Sequence, residues 1–557
     1  MMCLMQESPV NKILFIVPPN ISYQDFVDPP DNVKTVLKGS RNFGAVITDI
    51  PLGVLSLSAY LKQCAGTQTK LLDFNVAINK QDGFEFGSFP EFFRACLTPF
   101  TCTDFVPDII ALSSLFTPSY RNLLDIAQCC RDLFPSALIV AGGGVPTNMF
   151  REIFRDSTCI DALCYGEGER FLQGLVACDD RVQYLENCSS AITRGKAAIG
   201  EGFHHDFIED LDEIPFYDYS LLDTEGYGLN PTIGAYTSID EKNNSIPVMT
   251  SRGCTHHCCF CSSHTVHGRS MRYHSIGRIK DDLILLHEMY QAKTIVFQDD
   301  HFMADKQRAH EIIRMLRDLK LSGFFPNSLA LYALDRPMLE ALKSVGVNQL
   351  VLSVESGSQR VLREIMHKPL NLDIVKRVAE DCRALGIYSD VNILIGLPGE
   401  TRQDIEDTRS FLKTIEANWF RINVATPLVG SEMFEICREK GHLKGNYLDC
   451  NYKKAVVETE EFTAEYIQEM SYLLNLELNF VENADLRRGN YLIALSGFEN
   501  ALRAKSDHAL AYYFAARCHE KLGHEDKAKQ YADIGCTIVR DSSFWAHYMN
   551  IFGLSFW

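Results

Sequence analysis

Short apolar runs alternate with amphipathic stretches through the N-terminal part of the chain. Five of these runs are predicted to be buried strands, at residues 11–19, 70–75, 108–114, 137–144 and 160–165. Helices are predicted between them, for example at 51–62 and 122–134. Because strands that alternate with helices form parallel sheets covered on both faces, residues 10–200 are predicted to form a doubly wound, Rossmann-like α/β domain.

A second alternating series follows an acidic, proline-marked linker at residues 201–245. Its six predicted strands lie at residues 246–250, 294–302, 329–334, 349–357, 390–400 and 421–427. Helices are predicted between them at 278–289, 306–319, 337–344 and 371–385. Six parallel strands with outer helices form a partial (β/α)6 barrel, so residues 246–445 are predicted to carry a site at the carboxyl ends of the strands.

The C-terminal region, residues 446–557, is predicted to be all-α. Three small residues recur there at an offset of 34: Gly489, Ala494 and Ala501 as Gly523, Ala528 and Gly535. This period is typical of tetratricopeptide repeats, here at about 483–540. Two repeats are fewer than independent stability usually needs, so we expect them to pack on the barrel or on the helices at 462–480. They are either a structural cap or a docking groove for a peptide or protein partner.

An acidic composition narrows the range of partners. The chain has 557 residues, of which 46% are hydrophobic, and a formal net charge of −18. A negative balance argues against a nucleic-acid partner, which needs basic surface. The sequence shows neither an apolar run long enough to span a bilayer nor a signal peptide. We therefore expect no nucleic-acid or membrane partner and a cytoplasmic location.

Three cysteines lie close together in the spacing C-x3-C-x2-C, at Cys254, Cys258 and Cys261. Thiolates are the soft ligands that iron–sulfur clusters and zinc prefer. Three protein ligands leave one coordination position open, which favours catalysis over a structural role. On the loop alone two alternatives stay open. One is a zinc site completed by His264, and the other is a register that uses Cys259.

The residues around these cysteines add a resemblance. Ser-Arg-Gly-Cys at 251–254, with Phe260 before the last cysteine, resembles the cluster loop of radical S-adenosylmethionine (SAM) enzymes. The resemblance implies that the three cysteines hold a [4Fe–4S] cluster that binds SAM. It also implies SAM contacts from Phe260, from Asp299 and Asp300 at the amino group, from Ser353 and Glu355 near the ribose or methionine part, and from the backbone of Ile395 and Gly396 at adenine. Gln298-Asp299-Asp300 replaces the family's usual Gly-Gly-Glu.

The N-terminal domain carries a second resemblance. Pro-Leu-Gly at 51–53, Leu-Asp-Phe-Asn at 72–75, Ala-Gly-Gly-Gly at 141–144 and Tyr-Gly-Glu-Gly-Glu at 165–169 resemble the cobalamin-binding domain fused to radical SAM domains. The implied cobalamin contacts are Ser113, Ser114, Gly142, Gly143, Gly144 and Glu167. No Asp-x-His-x-x-Gly motif is present, so cobalamin is expected to bind without a histidine ligand. A domain that keeps this fold without binding a corrin is the alternative.

Together these resemblances imply a cobalamin-dependent radical SAM enzyme that transfers a methyl group to an unactivated carbon or phosphorus centre. The implied substrate is a natural-product or peptide intermediate, and a reductant such as flavodoxin or ferredoxin is an implied partner. One alternative is a radical rearrangement, cyclisation or oxidation without methyl transfer. Another is a binding or assembly protein with a structural cluster, which acts through its helical repeats. The sequence nominates no general acid, base or hydrogen-abstraction residue.

Overall fold

The computed structural model describes residues 11–29, 35–200, 202–222, 227, 244–327, 329–449 and 454–556. The strands in these ranges are β1 (Asn11–Val17), β2 (Thr35–Lys38), β3 (Arg41–Gly44), β4 (Thr67–Asp73), β5 (Ile109–Ser113), β6 (Leu138–Gly142), β7 (Ala162–Cys164), β8 (Ala191–Thr193), β9 (Ser245–Val248), β10 (Ser251–Arg252), β11 (Arg272–Tyr273), β12 (Thr294–Phe297), β13 (Ser322–Phe324), β14 (Gln349–Glu355), β15 (Tyr388–Ile395) and β16 (Trp419–Val424).

Helices flank the parallel sheets of the two α/β domains and form the C-terminal region. In the described ranges they are α1 (Tyr23–Val27), α2 (Leu52–Leu61), α3 (Phe74–Asn79), α4 (Phe89–Leu97), α5 (Tyr120–Leu133), α6 (Gly144–Asn148), α7 (Phe150–Asp156), α8 (Glu169–Ala177), α9 (Arg181–Asn187), α10 (Arg194–Ile199), α11 (His264–His267), α12 (Ile276–Met289), α13 (Lys306–Asp318), α14 (Arg336–Ser344), α15 (Leu372–Ala384), α16 (Arg402–Leu412), α17 (Glu432–Glu439), α18 (Ala464–Leu476), α19 (Ala484–Arg487), α20 (Tyr491–Ala504), α21 (Ala509–Lys521), α22 (Glu525–Asp541) and α23 (Ser543–Ile551).

The N-terminal sheet has the order β4-β1-β5-β6-β7-β8. The first five strands are parallel, as the sequence predicts, and their apolar residues are buried between two layers of helices. The edge strand β8 is antiparallel and was not predicted, because three residues are too few for a periodic signal. The strand order reverses between β1 and β5. This switch point places a ligand crevice beyond the carboxyl ends of β1, β5 and β6.

The central barrel consists of two three-stranded parallel sheets, in the orders β13-β12-β9 and β14-β15-β16. The predicted strand at 329–334 is wrong. Leu331–Ala333 is a 3-10 turn, and β13 supplies the sixth strand instead. Leu331 and Leu334 are buried in the barrel core without joining a ladder, and periodicity alone does not separate a short strand from a buried turn. Gly323 weakened the strand signal of β13.

The C-terminal helices close the open edge of the barrel. The Asn479 side chain accepts a hydrogen bond from the Phe420 N–H and donates one to the Phe420 carbonyl, both at 2.8 Å. Asn475 bonds the Ile422 backbone in the same way, at 3.2 and 2.8 Å. These amides replace a neighbouring strand along β16. Gly489 and Gly523 each follow the end of a helix, α19 and α21, and the tetratricopeptide assignment stays a prediction.

In the part of the chain that the structure describes, no helix is both long enough and apolar enough to cross a bilayer.

Candidate active site

The cysteine loop leaves the barrel between β10 and β11, which pair as a two-residue antiparallel ribbon. Gly253 follows the ribbon with φ of +90°, and a Cβ atom there would lie 2.2 Å from the Ser270 carbonyl oxygen. Only glycine fits this turn. Cys254, Cys258 and Cys261 are half-buried. Phe260 is partly buried and packs on the barrel core.

Cys259 has different surroundings from the other three cysteines. Its side chain is buried in the barrel core, and its N–H donates to the Met366 carbonyl at 3.1 Å. Its own carbonyl accepts from the Met433 N–H at 2.8 Å. The register that uses Cys259 as a ligand would therefore need this residue to leave the core.

The three half-buried thiols interact electrostatically with one another. Burial, opposed by Lys368 and supported by the neighbouring Cys261 and Cys254, raises the pKa of Cys258 to about 11. Burial also raises the pKa of Cys254 and of Cys261. Within the described ranges, no group of three or more His, Cys, Asp or Glu side chains is arranged to hold a metal ion. The thiols are a soft donor set that a cation would have to deprotonate on binding.

Asp299 and Asp300 follow β12 and have separate partners. The Asp299 carboxylate accepts from the Thr250 N–H at 3.1 Å, from the Thr250 hydroxyl at 2.7 Å and from the Ser251 hydroxyl at 2.5 Å. It therefore anchors the segment that leads into the cysteine loop. Asp300 Oδ1 accepts from the Ser263 hydroxyl at 2.6 Å. Its Oδ2 is buried and has no hydrogen-bond partner among the described residues.

Glu355 ends β14 in a strained conformation. Its φ is +71°, which is uncommon for a residue with a side chain and costs about 1–3 kcal/mol. The buried carboxylate accepts long hydrogen bonds from Lys368 Nζ and Asn392 Nδ2, both at 3.4 Å. Ser353 lies two residues earlier on β14 and is half-buried, and the register with β15 shifts between the two residues. The strain keeps a carboxylate at the carboxyl end of the strand, where barrel sites form.

The turn after β15 is held by a buried acid. Glu400 Oε2 accepts from the Gly396 N–H at 2.6 Å and from the Leu397 N–H at 3.2 Å. The Ile395 carbonyl accepts from the Ala425 N–H at 2.8 Å. Ile395 and Gly396, the predicted adenine contacts, therefore already use these two backbone groups within the chain. Burial raises the pKa of Glu400 to about 8.

The glycine run of the N-terminal domain is needed for loop packing. A Cβ atom on Gly143 would lie 2.5 Å from the Ser114 carbonyl oxygen, and one on Gly144 would lie 2.7 Å from the Leu115 carbonyl oxygen. The Ser114 N–H donates to the Gly142 carbonyl at 3.0 Å, and its hydroxyl lies 2.5 Å from the Ser119 hydroxyl. The glycines thus let the loops after β5 and β6 touch. Ser113, which ends β5, is half-buried beside them.

Two apolar side chains follow these serines and were not predicted as site residues. Leu115 is 59% exposed and Phe116 is 51% exposed. Both lie directly beyond the carboxyl end of β5, at the crevice of the sheet. The signal in the sequence is a pair of apolar residues that continues past the end of a buried strand.

The glycine run and the cysteine loop meet across the domain boundary. Helix α6 begins at Gly144, and α11 begins three residues after Cys261. Asn148 of α6 donates to the Thr265 hydroxyl of α11 at 2.8 Å. The His205 ring lies 2.8 Å from the Thr265 carbonyl oxygen, stacks on Phe207 and packs against the tilted ring of Tyr165. The two predicted cofactor loops are therefore neighbours in space.

Glu167, a predicted cobalamin contact, faces the barrel domain instead of the open crevice. Its carboxylate lies 2.6 Å from Arg272, 2.9 Å from His267 and 3.0 Å from Arg252. Although burial disfavours its charge, Arg252, Arg272 and His267 hold the pKa of Glu167 well below its usual range. Glu169 pairs with Arg252 at 2.7 Å. A cobalamin contact through the Glu167 carboxylate would compete with all of these partners.

A histidine–tyrosine pair that no sequence motif indicates lies at the mouth of the barrel. His301 Nε2 is 2.9 Å from the Tyr332 hydroxyl, and the His256 ring packs on His301 with centroids 4.7 Å apart. Burial lowers the pKa of His301 to about 4, so its ring is neutral near pH 7. Tyr332 is 46% exposed, so the pair is accessible to a bound molecule.

These residues fit the groups that the resemblances imply. Three thiols in one loop suit a [4Fe–4S] cluster with an open iron position. The unpaired Asp300 Oδ2 suits an ammonium group, because a buried acceptor without a donor is costly. The exposed Leu115 and Phe116 suit the apolar face of a large ring system.

Comparisons with known proteins agree with this geometry. Residues 48–176 match the B12 binding domain, and residues 248–412 match the Radical SAM superfamily. An uncharacterised methyltransferase of Pyrococcus horikoshii is 27% identical, over 66% of this chain and 77% of its own. Cytidylyl-2-hydroxyethylphosphonate methyltransferase of Streptomyces wedmorensis is also 27% identical, over 68% of this chain and 76% of its own.

The fold is shared with a solved structure over nearly the whole chain. The cobalamin-dependent S-adenosylmethionine radical enzyme OxsB superimposes with a TM-score of 0.59 at 14% identity, covering 98% of this chain and 84% of its own. At this identity the likeness establishes the fold. The two matched domains establish the rest: this chain is a radical SAM enzyme with a B12-binding domain, and its cofactors are a [4Fe–4S] cluster, SAM and cobalamin.

Proposed function

We propose that this enzyme transfers a methyl group to an unactivated carbon or phosphorus centre of a natural-product or peptide intermediate. The observation that carries the proposal is the contact between α6 and α11, because it places the cobalamin-side glycine run beside the cysteine loop. When bound, the cluster and SAM supply a carbon radical, and cobalamin supplies a transferable methyl group. The names of both methyltransferase relatives support this class of reaction.

The chain's own residues hold and orient the reacting groups. Cys254, Cys258 and Cys261 are the proposed cluster ligands. Asp300 is the proposed acceptor for the SAM ammonium group, because its Oδ2 is buried and free of a donor among the described residues. Asp299 has a supporting role, because it accepts hydrogen bonds from Thr250 and Ser251 and so fixes the start of the cysteine loop.

The barrel interior is the proposed substrate space. Ser353, Asn392 and Asn423 lie on inward faces of β14, β15 and β16, and Asn423 donates to the Asn392 side chain at 2.8 Å. Such a lining binds a substrate through hydrogen bonds. The neutral His301–Tyr332 pair stands at its mouth as the candidate proton-transferring group. A reductant such as flavodoxin or ferredoxin completes the proposed system.

Product analysis tests the proposal. Anaerobically reconstituted protein is supplied with SAM, a reductant and methylcobalamin, and the SAM-derived products are measured by mass spectrometry. We expect both 5′-deoxyadenosine and S-adenosylhomocysteine, and we expect Cys258→Ala to abolish 5′-deoxyadenosine. Cys259→Ala is the matched control and should keep both products, because Cys259 lies in the core.

The other outcomes separate the alternatives. 5′-Deoxyadenosine without S-adenosylhomocysteine would indicate a radical rearrangement, cyclisation or oxidation. Neither product from cluster-loaded protein would contradict an enzymatic role and favour a binding or assembly protein.

A further inference from the structure

The ribbon at the base of the cysteine loop pairs two like charges. Arg252 of β10 lies directly opposite Arg272 of β11. Their side chains are only 8% and 3% exposed. Like charges opposite each other in a ribbon are destabilising, and burial adds a desolvation cost. The ribbon therefore needs negative charge from outside itself.

That charge comes from the other domain. Glu167 and Glu169 follow β7 in the B12-binding domain, and both are buried. Glu167 accepts from Arg272 at 2.6 and 2.9 Å and pairs with Arg252 at 3.0 Å, whereas Glu169 pairs with Arg252 at 2.7 Å. The Ser56 hydroxyl of α2 donates to Glu169 at 2.8 Å. Two carboxylates from one domain thus neutralise two guanidinium groups from the other.

Arg272 is also fixed in orientation. Arg272 donates to the Ile208 and His267 carbonyls at 3.0 and 3.1 Å, and its guanidinium lies 4.1 Å from the centre of the Phe207 ring. Two parallel N–H bonds to one carboxylate restrict rotation as well as distance. Buried ion pairs add little net stability, and in some proteins they specify one arrangement of the groups that they join. Here that arrangement includes Gly253 and the cysteine loop.

We propose that Glu167 and Glu169 are positioning residues that hold the cysteine loop at a fixed distance and angle from the cobalamin face, by way of Arg252 and Arg272. In this role neither glutamate touches cobalamin or SAM. The four residues are called the interdomain charge network below. Its role in catalysis rests on the proposed methyl transfer, whereas its role in geometry does not.

The first readout is spectroscopic and needs no turnover. In frozen holoenzyme with a reduced cluster and cob(II)alamin, the magnetic coupling between the two centres reports their separation. We expect Glu167→Gln and Glu169→Gln to change the strength of this coupling or to widen its distribution, while cluster and cobalamin contents stay at wild-type levels. Glu167→Asp, which keeps the charge, should restore part of the wild-type signal.

The second readout is the ratio of methylated product to 5′-deoxyadenosine. Because small misplacement of reacting groups is costly, we expect the ratio to fall about tenfold to a hundredfold in both Gln variants. Glu477→Gln is the matched control: Glu477 is a buried carboxylate held by Arg409 and Lys413 beside the C-terminal helices. It should lose stability without a change in coupling or ratio.

Three results would overturn the inference. Unchanged magnetic coupling in both Gln variants would reduce the network to a structural contact. Loss of cobalamin alone from Glu167→Gln would indicate a direct corrin contact. A third result is loss of all cofactors from Glu167→Gln, Glu169→Gln and Arg272→Lys, while Glu477→Gln keeps its cofactors. It would mean that the network is needed for folding. If wild-type protein makes no methylated product, the proposed function fails while the coupling measurement still tests the network.

Discussion

At the scale of single residues, neighbours in sequence have different roles. Asp299 and Asp300 were both predicted to contact the SAM amino group. Asp299 is surrounded by donors from Thr250 and Ser251, whereas Asp300 keeps one buried oxygen without a described donor. Residue type is the same at both positions. The difference lies in their partners. Asp299 bonds Thr250 and Ser251, which precede the cysteine loop, whereas Asp300 bonds Ser263, which follows it.

Asp300→Asn should weaken SAM binding. The substitution removes the charge opposite the ammonium group, and hydrogen bonds to charged groups contribute about 1.5–3 kcal/mol, so the Kd for SAM should rise roughly tenfold or more. Equilibrium binding of SAM to the cluster-loaded protein measures this. Asp305→Asn is the control, since Asp305 caps α13 and Asn is also a good cap. An unchanged Kd in Asp300→Asn would remove Asp300 from the SAM site.

Glu400 should make stability depend on pH. Burial raises its pKa from 4.5 to about 8, so the folded protein binds this proton more tightly than the unfolded chain does. The stability it contributes is fully present below about pH 4.5 and is lost as pH rises through about 8, with a slope of about 1.4 kcal/mol per pH unit between. Urea unfolding of wild type and Glu400→Gln at about pH 5.5, 7 and 8.5 measures the difference.

The wild type should lose stability relative to Glu400→Gln across this range. Gln is uncharged at every pH and keeps an oxygen for the Gly396 N–H. A constant difference between the two proteins would show that Glu400 does not titrate there.

At the scale of elements, the edge of the barrel is closed by side chains instead of a strand. Asn479 satisfies both backbone groups of Phe420, and α18 lies along β16. The C-terminal region was predicted to be all-α, and its two repeats were predicted to pack on the barrel or on the helices at 462–480. Periodicity gives no sign that two asparagines would complete a sheet edge.

Asn479→Ala should destabilise the protein by about 2–4 kcal/mol, because it leaves the buried N–H and C=O of Phe420 without partners. The free energy of unfolding in urea measures the effect. Asn187→Ala is the control, since Asn187 is exposed at the end of α9. A loss no larger than that of the control would mean that water replaces the amide at the edge.

At the scale of the whole molecule, the site is assembled from two domains. Helix α6 carries the glycine run and α11 follows the cysteine loop, and the Asn148–Thr265 hydrogen bond joins them. The interdomain charge network lies beside this contact and connects the Tyr-Gly-Glu-Gly-Glu and Ser-Arg-Gly-Cys motifs. The tests of methyl transfer and of magnetic coupling belong to this scale, since both depend on the distance between the two cofactors.

The sequence by itself determined the two α/β domains, the helical end and the cofactor class. Buried strands are local patterns and suffice for the domains. The cysteine spacing alone left zinc open, and the cofactor class followed from the resemblance of the surrounding motifs to a known family. It did not predict the short strands β8 and β13, because few residues and a glycine leave little periodic signal.

Only the tertiary structure decided how the polar residues are used. Glu167 was assigned to cobalamin from its motif, yet its partners lie about a hundred residues away in the other domain. His301 and Tyr332 meet only because β12 and the turn at 331–333 end at the same mouth of the barrel. A side chain's role depends on the charges and donors around it, and residues distant in sequence supply those.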